Sequence, residues 1–103
     1  MTETIRKLPV RTREIQLKEP WLGWSFTARM NPPVCVFEDI ASGDFTRIVD
    51  GMALVITIWN WVDEEGEPLP QPTREIISRH IPIDLLTAAA NSWVQEMTAV
   101  PPA

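Results

Sequence analysis

The chain has 103 residues, of which 45% are apolar and 22% charged, and this composition is typical of one small globular domain. Its net charge of −5 is unevenly placed, because residues 1–29 hold six basic and three acidic side chains, while residues 30–103 hold three basic and eleven acidic ones. The acidic body argues against nucleic-acid binding, the single cysteine excludes an internal disulfide, and no apolar run approaches the ~18 residues of a membrane span. An intracellular protein without nucleic-acid or membrane partners is therefore expected.

The two ends of the chain differ in pattern from its middle. Residues 1–11 are polar, contain Pro9 and keep no sustained period, which predicts a flexible N-terminal arm. Pro101 and Pro102 lie directly before the last residue, so residues 99–103 are predicted to be a disordered tail. Residues 12–98 remain as one globular domain.

Two runs of alternating apolar and polar residues predict a β-hairpin over about residues 12–29. In the second run Trp24, Phe26 and Ala28 share one face, and in the first run Ile15 and Leu17 point inward. The connection between the runs contains a proline and a glycine, which is typical of a turn.

Helical patterns begin after the hairpin. Asn31 is a good N-cap and is followed by two prolines, so a first helix is expected to reach about residue 41. Gly43 suits a left-handed C-cap and Asp44 suits the N-cap of a second helix. The apolar stripe of that helix continues at a spacing of three or four to Trp59, which predicts helix to about Ile58 and an extended path over residues 59–62. The β-branched residues of this stretch also suit a strand.

Proline and threonine residues indicate the structure of residues 68–98. Prolines at residues 68, 70 and 72 favour an extended path, and Thr73 can cap a short helix to about Arg79. Pro82 starts the last helix. The expected fold is therefore α+β, with an N-terminal β-hairpin followed by about four helices in a single small domain. Its core is expected to join Ile15, Leu17, Trp24, Phe26, Phe37, Ile48, Met52, Val55, Trp59, Leu86 and Trp93.

Few residues offer catalytic chemistry, because the chain has one histidine, one cysteine and no tyrosine. Cys35 lies in an apolar stretch and is expected to be a small buried hydrophobe. His80 lies at a predicted helix end, where it can interact with terminal carbonyls. No glycine-rich phosphate loop is present. We therefore expect no catalytic residue, no cofactor and no enzymatic activity.

The acids at residues 63–67 raise the question of a calcium loop. Such a loop needs glycine at its sixth position and glutamate at its twelfth, whereas Gly66 would be fourth and Arg74 twelfth counting from Asp63. The pattern therefore predicts a solvated turn and no metal site.

Five tryptophans are an unusual number for a chain of this length. Trp24, Trp59 and Trp93 are expected in the core, where each buries on the order of 200 Å². Trp21 and Trp61 flank turns and are expected to be partly exposed anchors for a partner. The tentative partner-binding set is Trp21, Trp61, Asp63, Glu64, Glu65 and Glu67.

The segment Trp59-Asn60-Trp61-Val62-Asp63-Glu64-Glu65-Gly66-Glu67-Pro68-Leu69-Pro70 resembles a W-N-aromatic-x-D-E-acid-G-x-P-L-P signature. This signature is typical of tail assembly chaperones of long, flexible-tailed bacteriophages and prophages. Residues 20–24, 31–33, 42–45 and 81–86 resemble other segments of that family in the same order. The resemblance covers about residues 12–97.

The resemblance implies a non-enzymatic role. Such chaperones bind the tape measure protein in the bacterial cytoplasm, keep it soluble during assembly of the tail tube, and are absent from the mature virion. In many members a frameshifted longer form recruits the tail tube protein, and this chain resembles the short form. The complementary charges of the basic N-terminal region and the acidic body also predict a homo-oligomer. The alternative function is a small acidic inhibitor or immunity-type protein, whose acids at residues 63–67 would form a continuous surface for a basic target.

Overall fold

The computed structural model describes residues 6–99 and contains one antiparallel sheet and four helices. In chain order the elements are β1 (Thr12–Gln16), β2 (Ser25–Arg29), α1 (Val34–Ala41), α2 (Phe45–Val55), β3 (Ile56–Trp59), α3 (Arg74–His80) and α4 (Ile83–Thr98). The predicted α+β class is confirmed, with a hairpin of β1 and β2 followed by four helices. Within residues 6–99 no helix combines the length and apolarity needed to cross a membrane.

The sheet has a third strand, which the β-branched residues of this stretch offered only as the alternative to helix. β3 pairs with β2, which gives the strand order β1-β2-β3, and the predicted helix to about Ile58 is wrong because α2 ends at Val55. Ala28 pairs with Ile56 and Phe26 with Trp59, so the β3 strand holds one residue more than β2 at this point. This bulge places Ile56 and Trp59, three residues apart, on the core face. A spacing of three also occurs along one face of a helix, so the apolar pattern showed no break between α2 and β3.

Local capping residues set the helix starts. The Asp44 carboxylate accepts hydrogen bonds from the backbone N–H groups of Thr46 and Arg47, and the Thr73 hydroxyl accepts one from Ile76. Gly43 has a φ of 80°, which favours glycine before the Asp44 cap. The predicted caps at Asp44 and Thr73 are confirmed, and each satisfies N–H groups that the helix leaves unpaired.

Asn31 has a different role from the predicted N-cap of α1, whose N-cap position is Pro33. The Asn31 Oδ1 accepts a hydrogen bond from the backbone N–H of Arg11 at 2.9 Å, and its Nδ2 donates one to the Pro9 carbonyl at 2.6 Å. Asn31 therefore fixes the chain just before β1 and does not cap α1. Residues 1–5 of the predicted arm and residues 100–103 of the predicted tail lie outside the described residues, and the flexibility of both segments stays a prediction.

The core lies between one face of the sheet and the helices. Eight of the predicted core residues are buried: Ile15, Leu17, Phe26, Ile48, Met52, Val55, Leu86 and Trp93. Trp24, Phe37 and Trp59 are half-buried against that core. Cys35 is exposed, so its predicted burial is wrong. The reason is that α1 buries Val36 and Ile40, four residues apart, and this turns Cys35 toward solvent.

Candidate binding groove

Trp61 is only 1% exposed, and its predicted partial exposure is wrong. Its ring stacks on that of Trp59 with centroids 4.6 Å apart and meets the Phe26 ring edge-on at 5.9 Å. These contacts arise because Trp59 pairs with Phe26 and the Asn60 N–H donates to the Ser25 carbonyl, which brings Trp61 close to β2. Trp21 is half-buried and meets Trp24 edge-on at 5.5 Å. Of the two predicted anchors, only Trp21 therefore keeps accessible surface for a partner.

The predicted acidic turn is present, and Asp63 organises it. The Asp63 Oδ1 accepts hydrogen bonds from the backbone N–H groups of Glu65 and Glu67, each at 2.9 Å. The Asp63 carbonyl accepts another from Gly66, whose φ of 83° lies in the left-handed region. Asp63 is half-buried and makes the turn, whereas Glu64, Glu65 and Glu67 are exposed. The tentative set from the sequence therefore separates into one structural acid and three accessible ones.

Basic residues lie beside the acidic turn. Arg79 and His80, at the end of α3, line the same surface depression of about 310 Å³ as Asp63, Glu64 and Glu65. Among the described residues no group of three or more histidine, cysteine, aspartate or glutamate side chains is placed to hold a metal ion. The turn is therefore a mixed-charge surface.

A larger surface depression than the one at the acidic turn lies elsewhere, between the α1–α2 connection and α4. It has a volume of about 410 Å³. Apolar side chains form most of its lining: Ile40, Ala41, Phe45, Ile48, Ala90 and Val94. Thr87, Asn91 and Gln95 line it from α4. Sequence reasoning missed this site because it is assembled from three helices.

Phe45 projects into this site because of the turn before it. The left-handed Gly43 and the Asp44 cap reverse the chain between α1 and α2, which makes Phe45 the first residue of α2. At this position the Phe45 side chain is 46% exposed. Ala90, facing the same space from α4, is small and leaves room beside the ring. The one available sequence signal was an apolar residue directly after an N-cap.

A second depression of about 210 Å³ lies on the other side of Phe45. Its apolar lining comes from α2, α3 and α4 and consists of Phe45, Val49, Ile77, Ile81, Ile83 and Leu86. Arg74 also lines it and is paired with Asp50. We call the two depressions together the Phe45 groove. The first depression is mainly apolar and is suited to holding apolar side chains, whereas the second has a mixed polar and apolar surface. Among the described residues no histidine, cysteine or carboxylate lines either of them, so neither offers a catalytic pair.

Comparison with family models, with curated proteins and with solved structures finds no match to this chain.

Proposed function

We propose that this protein is a non-enzymatic phage tail assembly chaperone that binds the tape measure protein and keeps it soluble while the tail tube assembles. The observation that carries the proposal is the Phe45 groove, in which the partly exposed Phe45 ring lies between a mainly apolar depression and a mixed one. The resemblance of residues 59–70 to the chaperone signature supports the same role.

The form of the groove suits an apolar helix. Amphipathic helices bind in grooves through side chains at positions i, i+3 or i+4, and i+7. Depressions on both sides of Phe45 offer places for two such side chains, with the ring packed between them. A long helical client with repeated apolar positions would present many such sites, and several copies of this chain would cover it.

The acidic surface suits a protein that keeps its client in solution. Residues 30–103 carry eleven acidic and three basic side chains, and a net charge far from zero opposes aggregation. Glu64, Glu65 and Glu67 project from the turn and leave the Phe45 groove uncovered. In this proposal the acidic turn maintains solubility, and Trp21 is a second, smaller contact for the partner.

The tape measure protein is made and coated in the cytoplasm of the bacterial host, so the chaperone works there and leaves before the virion is complete. A longer form of the chain would recruit the tail tube protein. The inhibitor alternative receives less support, because Arg79 and His80 interrupt the acidic surface that it requires.

Co-expression with the tape measure protein encoded nearby tests the function. The wild-type chain is expected to move that protein into the soluble fraction and to be recovered with it in a pull-down. An equally insoluble tape measure protein with and without this chain, with no complex recovered, would rule the chaperone out. Binding to a basic protein in place of the tape measure protein would favour the inhibitor.

A further inference from the structure

Two apolar side chains before β1 are strongly exposed. Leu8 is 85% exposed and Val10 is 61% exposed, and the basic residues Arg6 and Lys7 precede them. Alternate residues of an extended chain project to the same side, so Leu8 and Val10 form one apolar edge on either side of Pro9. Single exposed apolar side chains are ordinary, but a pair on one edge next to positive charge is suited to docking.

Asn31 holds this segment at a distance from the Phe45 groove of its own chain. Its side chain binds the backbone of Pro9 and Arg11, and the Met30 N–H donates to the Arg11 carbonyl at 2.7 Å. These bonds lie just before the start of α1, whereas Ile40 and Ala41 at the end of α1 line the groove. Eight helical residues span about 12 Å. Leu8 and Val10 line neither depression of their own groove, and the Asn31 bonds hold the backbone on both sides of Val10, so the two side chains would enter that groove only by releasing Asn31. A second copy has no such restriction.

The α4 side of the groove can hold a short extended segment as well as a helix. Thr87, Asn91 and Gln95 recur at a spacing of four and form an exposed row along one side of the helix. An extended segment carries backbone N–H and C=O groups that need hydrogen-bond partners, whereas a helix satisfies its own. Hydroxyl and amide side chains along an apolar floor therefore suit a short extended segment with alternate apolar residues.

Charge favours the same pairing. The residues from α1 through α2, together with α4, carry six acids and one base, and these are Glu38, Asp39, Asp44, Asp50, Asp84, Glu96 and Arg47. Asp39, Asp50 and Glu96 are paired with Arg47, Arg74 and Arg13 of the same chain, so the acids outside these ion pairs are Glu38, Asp44 and Asp84. The segment before β1 would bring Arg6 and Lys7 of the other copy toward these acids. Opposite charges around an apolar contact fix which partner binds and in which direction.

We propose that residues 6–10 of one copy bind in the Phe45 groove of a second copy, with Leu8 and Val10 on its apolar floor. In a two-fold pair each copy gives its segment to the other, so both contacts form together. The same groove is then covered by a second copy when the tape measure protein is absent. The self-association needs no client, and it is tested with this chain alone.

Disulfide capture between separate chains tests the contact. In a Cys35→Ser background, one chain carries Leu8→Cys and a differently tagged chain carries Asn91→Cys. Mild oxidation of the mixture is expected to join the two tags in one species on a non-reducing gel. The control replaces Leu8→Cys with Leu22→Cys, which is 64% exposed and lies at the opposite end of the hairpin. Equal yields from the two mixtures would overturn the proposal.

Sedimentation velocity provides the second measurement. The wild-type chain is expected to sediment above its monomer mass of 11.7 kDa, and Leu8→Asp with Val10→Asp is expected to sediment as a monomer. Leu22→Asp should associate as the wild type does, and circular dichroism should show that all variants are folded. A wild-type monomer at high concentration would overturn the arm contact. That result would leave binding of the tape measure protein intact, since it is measured in a different experiment.

Discussion

The Asn60 side chain binds the hairpin on both sides of Trp24. Its Oδ1 accepts a hydrogen bond from the backbone N–H of Ser25 at 2.8 Å, and its Nδ2 donates one to the Gly23 carbonyl at 2.9 Å. The neighbouring Trp59 and Trp61 rings stack on each other. The Trp-Asn-Trp motif therefore joins β3 to the start of β2, and its residues serve the fold.

Replacing Asn60 tests this structural role. Asn60→Ala removes both side-chain hydrogen bonds and is expected to lower the free energy of unfolding by about 0.5–1.5 kcal/mol per bond. Asn60→Asp keeps the acceptor for Ser25 but places a carboxylate oxygen near the Gly23 carbonyl, so it is also expected to destabilise. Urea unfolding followed by tryptophan fluorescence measures both changes. A stability equal to that of the wild type for both variants would contradict the role.

Trp93 is expected to be among the most sensitive core positions. Its side chain is fully buried, and its Nε1 donates a hydrogen bond to the Arg29 carbonyl at 3.0 Å, which joins α4 to the end of β2. Trp93→Ala should cost about 3–5 kcal/mol, a large part of the ~5–15 kcal/mol that stabilises a typical domain. Thermal unfolding is the measurement, with the exposed Leu22→Ala as the control. A Trp93→Ala variant that melts with the control would show that α4 packs differently.

Gly51 allows α1 and α2 to approach each other. A Cβ at this position would lie 2.5 Å from the Ile40 Cγ1 and 3.3 Å from the Val36 carbonyl oxygen. Glycine to alanine in a helix normally stabilises by about 0.5–1 kcal/mol, but here we expect Gly51→Ala to destabilise by about 1–3 kcal/mol. An Ile40→Ala background removes the nearest atoms, so the added methyl group should cost less there. Equal costs of Gly51→Ala in both backgrounds, measured by urea unfolding, would contradict this packing.

Local signals made much of the fold predictable. The alternation of Trp24, Phe26 and Ala28 predicted β2. The Asp44 and Thr73 side chains accept hydrogen bonds from backbone N–H groups two or three residues further along the chain. Each of these features depends on neighbouring residues, and such features are visible in a single sequence.

Features that depend on distant residues were not predictable. The bulge that turns Ile56 and Trp59 to one face exists only because β2 is the pairing partner, and the burial of Trp61 follows from it. The Phe45 groove depends on how α4 approaches the α1–α2 turn. The predicted site therefore centred on a motif that is structural, and the apolar groove was missed.

The most direct test of the central claim measures binding of helical tape measure peptides by calorimetry. The variant is Phe45→Asp, at the first position of α2, and the matched control is Val34→Asp, at the first position of α1, where the side chain is also exposed. An acid at the first helical position is favourable in both, so each helix should remain intact.

Fully burying an exposed phenylalanine side chain is worth about 1.5–3 kcal/mol, and Phe45, which is 46% exposed, has about half of that to gain, so Phe45→Asp should weaken binding by roughly 3–10-fold. Val34→Asp should bind as the wild type does. Unchanged affinity of Phe45→Asp, or no binding of any tape measure peptide by the wild-type chain, would contradict the account.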